Sequence, residues 1–189
     1  RIIVGEIRRS DQAEVLFEGM HTGHSVYATL HADTVEQTYR RLVNPPINVP
    51  DALLEALHLI ATVFRDRRKG IRRVFQIAEI VPMGYGETKT TINMLYKWSP
   101  AMDTMIKVRD SIRVLSELKL HIGMNDKEFE TDLEDKKTIL AWMFKNNIKT
   151  VDGVGKVFFE YYFDPSKVLT VVRKNQSPTV LVPPELLKD

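Results

Sequence analysis

The sequence predicts an α/β chain: a mostly parallel sheet with added β-hairpins, followed by a helical C-terminal module. Three observations carry this expectation. An apolar strand, a helix and a second strand follow one another at the start, the order of a parallel α/β unit. Two β-branched runs around Gly70 are joined by a short charged turn, as in a hairpin. From residue 110 onward the apolar residues recur at helical rather than strand spacing.

The elements follow in order. "IIVGE", residues 2–6, is an apolar strand that ends on a glycine and a carboxylate. Ser10 is placed to cap a helix over 11–22, with Gly23 just past its end. "HSVYATLH", 24–31, is β-branched and aromatic enough for a strand. Asp33 with Glu36 three residues later reads as a capping box for a helix to about Val43. "NPPINVP", 44–50, has three prolines in seven residues and excludes regular structure. Asp51 caps a short helix to about Leu57. Strands follow over 58–64 and 71–81, then over 90–98 and 104–108. "DSIRVLSELKLHIG" reads as a helix ending at Gly123. Asn125 or Asp126 caps a long helix in which Phe129, Leu133, Ile139, Leu140, Met143 and Phe144 recur. Thr150 and Asp152 open another helix through Tyr162, and Asp164-Pro165 a last short one. The tail from Arg173 carries three prolines and is expected to be extended. The resulting division is 1–109 as the sheet-bearing part, 110–172 as the helical module and 173–189 as the tail.

Composition narrows the function. The 189 residues are 43% hydrophobic and 28% charged, ordinary for a globular chain. No apolar run approaches the ~18 residues of a membrane-spanning helix, and no signal-peptide pattern opens the sequence. With no cysteine, disulfides and thiolate metal sites are excluded. The net charge is +2, so any attraction to polyanions must be local. "RDRRKGIRR", 65–73, is the local candidate, with six basic residues and one acid. It reads either as a solvated turn or as a docking patch. It has none of the interleaved aromatics that stack bases.

The chemistry concentrates in residues 1–33. Glycine before a strand-terminal acid lets a ligand come close, and Glu6 could hold magnesium through water or orient an attacking water. Taken alone, a Gly-Glu strand end is as readily structural. His24 and His31, flanking the second strand, would each read alone as structural too. His21, His58 and His121 lack paired ligand spacing. The aromatic run Phe158–Phe163 reads first as core packing.

Together, "IIVGEIR" at 2–8, "LFEGMHTGH" at 16–24 and "TGHSVYATLHAD" at 22–33 resemble the type II/type IV secretion ATPase superfamily, including its pilus, archaeal-flagellum and conjugation motors. The first stretch looks like the Walker B strand and the last like the histidine box. "NPPINVP" and 132–165 resemble later segments of archaeal members. The resemblance implies a RecA-like motor, a ring and usually a hexamer, that binds ATP and magnesium between subunits and works beside an inner-membrane platform protein. It implies a cytoplasmic protein peripheral to the membrane, without direct nucleic-acid binding. By motif position Glu6 would be the Walker B acid, acting on magnesium and water. His24 and His31 would be the histidine-box pair near the terminal phosphate, and Arg8 would stabilise charge or contact a subunit. Arg9 departs from the aspartate of many bacterial members. The family's phosphate loop lies upstream of Walker B, and no G-x-x-x-x-G-K-[ST] occurs in these residues. The nearest lookalike, "GYGETKTT" at 84–91, lacks the Gly-Lys pair and is read as a hairpin loop. The chain is thus expected to be the C-terminal part of a longer ATPase and to be inactive alone. The rivals are a non-catalytic partner-binding module and a RecA-like nucleic-acid motor.

Overall fold

A computed structural model describes residues 1–84 and 89–187. The chain divides into two compact units, Arg1–His121 and Ile122–Asp189.

The first unit opens with β1 (Ile2–Glu6), α1 (Ser10–His21) and β2 (Val26–Thr29). β1 and β2 pair in parallel, Ile2 against Val26 and Glu6 against Thr29. Parallel neighbours need a crossover, and α1 supplies it. α2 (Val35–Val43) and the short α3 (Asp51–Leu54) follow. A second sheet holds β3 (Leu59–Asp66), β4 (Ile71–Pro82), β5 (Thr90–Ser99) and β6 (Thr104–Lys107) in that order. Every pairing in it is antiparallel. The α/β class holds, but the expected mostly parallel sheet does not: among the described strands only β1 and β2 are parallel. The physical reason is connection length. Short turns join β3 to β4 and β5 to β6, and such turns can only reverse direction. Of the lookalike at 84–91, Thr90 and Thr91 belong to β5, and Tyr85–Thr88 lie outside the described residues.

α2 ties the two sheets together. Its Leu42 packs with Ala13, Leu16 and Phe17 of α1 and with Ile47, Val49 and Leu54. Its Val35 packs with Ile60, Ala78 and Ile80 of the second sheet, and Tyr39 flanks both clusters. The "NPPINVP" segment is irregular, yet Ile47 and Val49 are buried. Three caps differ from expectation: at α3 the cap is Pro50, with Asp51 the first helical residue and the helix ending at Leu54 instead of Leu57. Arg9, not Ser10, stands at the cap of α1, with no side-chain bond there. At α2 the cap is Thr34, whose hydroxyl accepts from the Gln37 N–H, while Gln37 Oε1 accepts from the Asp33 N–H.

α4 (Val114–Ile122) starts four residues later than its sequence pattern suggests. Residues 111–114 are instead drawn onto the buried Glu79 carboxylate.

The second unit contains α5 (Asp126–Lys145), α6 (Val151–Phe163) and α7 (Pro165–Arg173). Asn125 closes a capping box with Glu128, and Thr150 and Asp164 cap the next two helices. Ile139, Trp142, Met143, Val157, Tyr161, Val168 and Val172 form the core. The tail is not simply extended. It makes two 3-10 turns, Pro178–Val180 and Pro184–Leu186, and buries Leu181 and Val182 in that core.

Candidate active site

The parallel register places the carboxyl ends of β1 and β2 at one edge, the position where open α/β sheets form ligand crevices. Gly5 lies where the ladder register shifts, between Val4 and Glu6. The Thr29 hydroxyl donates to the Gly5 carbonyl and the Ile7 N–H to the Thr29 carbonyl, so both strand ends are pinned. Glu6 is thereby held at the rim with its side chain 24% exposed.

Three basic side chains surround it. Arg8 Nη2 lies 2.5 Å from Glu6 Oε2, and His31 Nε2 lies 3.6 Å from Glu6 Oε1. Arg41, in the last turn of α2, donates from Nη1 to the His31 carbonyl and so fixes the loop that carries the imidazole. The hydrogen bond from Arg8 holds the Glu6 carboxyl below its ordinary value; burial opposes this, and the charges of Arg8, His31 and Arg41 reinforce it. Arg8 is in turn pushed up by Glu6. The carboxylate is therefore ionised at neutral pH. Beside it opens a groove of about 630 Å³, lined among others by Leu30, His31, Asp33, Gln37, Arg40 and Arg41.

Of the four candidate residues, the structure brings together Glu6, Arg8 and His31. His24 stands apart. It precedes β2, next to the end of β1 where Ile2 pairs with Val26, and the strand's rise separates that end from Thr29 by roughly 10 Å. There His24 Nδ1 meets the Thr22 hydroxyl at 3.1 Å and its N–H bonds the Gly19 carbonyl. The convergence expected of both histidines is corrected to one, because strand geometry puts residues 24 and 31 at opposite ends. Arg41 and Arg40 were not singled out from sequence. The readable signal was "TYRR", which puts two cations in the turn that closes back on His31.

A metal cage formed wholly by this chain has no basis among the described residues: no group of three or more His, Asp or Glu could hold an ion. Glu6 could hold a hydrated magnesium ion only through Oε1, the oxygen that Arg8 does not bond, while the cationic Arg8, Arg40 and Arg41 suit an anion such as phosphate.

Comparison with known proteins bears on the same segment. The model of the type II/IV secretion system protein family matches residues 1–72. Three uncharacterized proteins of Methanocaldococcus jannaschii are similar. One is 34% identical over 77% of this chain and 20% of its own length. A second is 31% identical over 85% of this chain and 60% of its own length. A third is 32% identical over 85% of this chain and 30% of its own length. The chain thus spans between a fifth and three fifths of these relatives. The segment that holds Glu6, Arg8, His24 and His31 is thus the part of the chain that is similar to the type II/IV secretion system protein family.

Proposed function

We propose that this chain carries the carboxylate and histidine side of the catalytic site of a secretion-type motor ATPase. The longer protein would couple ATP hydrolysis to protein secretion or to pilus or archaeal-flagellum assembly at the cytoplasmic membrane. The observation that supports this most is the placing of ionised Glu6 against Arg8 and His31 at the parallel strand edge, inside the family-matched segment. Glu6 would accept a hydrogen bond from the attacking water and hold a hydrated magnesium ion. When bound, that ion would neutralise phosphate charge. His31 would contact the terminal phosphate, its loop steadied by Arg41. Arg8 would leave Glu6 to meet charge developing on the phosphate. A RecA-like ring, usually six copies, and an inner-membrane platform protein belong to the same proposal.

One observation favours a second reading, a non-catalytic partner-binding module. A carboxylate already clamped by a guanidinium at 2.5 Å is a poor proton acceptor. Glu6→Gln in the full-length protein separates the two. It removes the charge and keeps the shape, so nucleotide binding should persist while turnover falls about 10²–10⁴-fold. Unchanged steady-state hydrolysis would reject Glu6 as the acid.

A further inference from the structure

We propose that the tip of the β3–β4 hairpin is a docking surface for the anionic phospholipid headgroups of a membrane. Arg65, Arg67, Arg68, Lys69 and Arg72 are all exposed around the turn at Gly70. None of the five makes an ion pair with another described residue. The one acid in the stretch, Asp66, is engaged by the turn's own backbone: its Oδ1 accepts from the Arg68 and Lys69 N–H groups and shapes the turn. Arg65 and Arg72 face each other directly across the ladder, a like-charge pairing that costs stability unless an anion lies between them.

The base of the hairpin is stiff, so the cations are presented rather than splayed. Arg73 grips Asp103 through two bonds of 2.7 and 2.6 Å, and Trp98 Nε1 donates to the same carboxylate. Phe64 stacks on Trp98 at 5.4 Å and lies 6.2 Å from Phe75.

The chemistry selects the partner. Four of the five cations are arginines, whose planar fork matches phosphate oxygens. No aromatic stands among residues 65–72 to stack a base. A protein partner would need a central apolar anchor; among residues 65–72 the apolar side chain is the half-buried Ile71, and the exposed Val63, Phe64 and Val74 lie further down the hairpin, away from the turn. The acids of α5 are a weak complement in a second copy, since Asp132, Glu134 and Asp135 are already paired with Lys136, Lys137 and Arg173. A fluid layer of phosphate headgroups needs no pocket. Each basic residue near such a surface is worth about fivefold in partitioning. This surface does not depend on the ATPase reading.

The test is co-sedimentation of this chain with phosphatidylcholine vesicles, with and without phosphatidylserine. Binding should require phosphatidylserine and disappear as salt rises from about 0.1 to 1 M, where the screening length falls to about 3 Å. The variant R67Q/R68Q/K69Q should lose about a hundredfold in partitioning with an unchanged circular dichroism melt. K127Q/K149Q/K174Q, removing three exposed charges elsewhere, should lose far less. Equal binding to neutral vesicles, no binding to anionic ones, or equal losses in the two variants would overturn the proposal. So would tighter binding, through the same residues, to polyglutamate or a DNA duplex.

Discussion

Glu79 is fully buried in β4 and yet charged. Burial by itself would raise its carboxyl, but the Ile112 N–H, the Ser111 hydroxyl, the Asn93 amide and the Val114 N–H all donate to it and bring it down to about 2. The folded value lies below the unfolded 4.5, so the resulting stability is complete above about pH 4.5 and drains away as pH falls toward about 2. A shift of that size corresponds to about 3 kcal/mol. Glu79→Gln should destabilise the first unit by about 2–3 kcal/mol near neutral pH, because an amide NH2 would face donors. It should also flatten the loss of stability between pH 4.5 and 2. An acid limb as steep as the parent's, followed by denaturant titration, would refute this account. Glu79 was not legible in "IAEIV", where it looks like one polar residue in a buried strand. Asn93 lies 14 residues on and Ser111, Ile112 and Val114 lie 32 to 35 residues on, and no local pattern announces them. Glu6 was legible because a glycine precedes it and the apolar run stops there.

At the scale of elements, the helix starts of the second unit were readable because their caps act over three residues. Asn125 with Glu128, Thr150 with Gly153 and Asp164 with Lys167 are all short-range bonds. The buried face of α5 was less readable. Ile139 and Met143 are in the core as their spacing implies, but Leu133, Leu140 and Phe144 are exposed, and the core includes Trp142. Apolar spacing alone fits two adjacent faces, and the partners α6, α7 and the tail decide between them. Of the aromatic end of α6, Tyr161 is buried, with its hydroxyl on Asp132, while Phe159, Tyr162 and Phe163 are exposed. Two glycines in α6 give a paired prediction. In a helix, glycine to alanine ordinarily gains up to about 1 kcal/mol. At Gly155 nothing lies within 4 Å of an added Cβ, so Gly155→Ala should stabilise by about that amount. At Gly153 the new Cβ would lie 2.6 Å from Thr150 Oγ1 and 2.9 Å from the Leu186 carbonyl. Overpacking of this kind costs about 1–3 kcal/mol, so Gly153→Ala should destabilise. Thermal melts of the two variants should move in opposite directions. Equal shifts would mean that the tail does not pack on α6.

At the scale of the whole molecule, the local βαβ order was legible and the sheet arrangement was not. Strand order depends on which distant edges meet, and four strands close into their own antiparallel sheet rather than extending β1 and β2. The same limit bears on nucleotide binding. The edge that presents Glu6, Arg8 and His31 supplies one acid, two exposed side chains and few fixed donors. A phosphate loop contributes several backbone N–H groups and a lysine, and the 189 residues contain no sequence of that pattern. Hydrogen bonds to charged groups are worth roughly 1.5–3 kcal/mol each. Lacking about three of them forfeits on the order of 5–9 kcal/mol, a thousandfold or more in dissociation constant. Arg40 and Arg41 offset a part of this, since both line the groove beside His31. They are exposed, however, and Arg41 already donates to the His31 carbonyl. Glu6 itself repels phosphate until a cation intervenes. Magnesium–ATP titrated into this chain by calorimetry should therefore give no micromolar isotherm, only millimolar or weaker binding that fades with salt. A saturable micromolar isotherm that Arg41→Ala abolishes would show instead that the α2 arginines cradle the phosphates, and that the nucleotide site is complete within these residues.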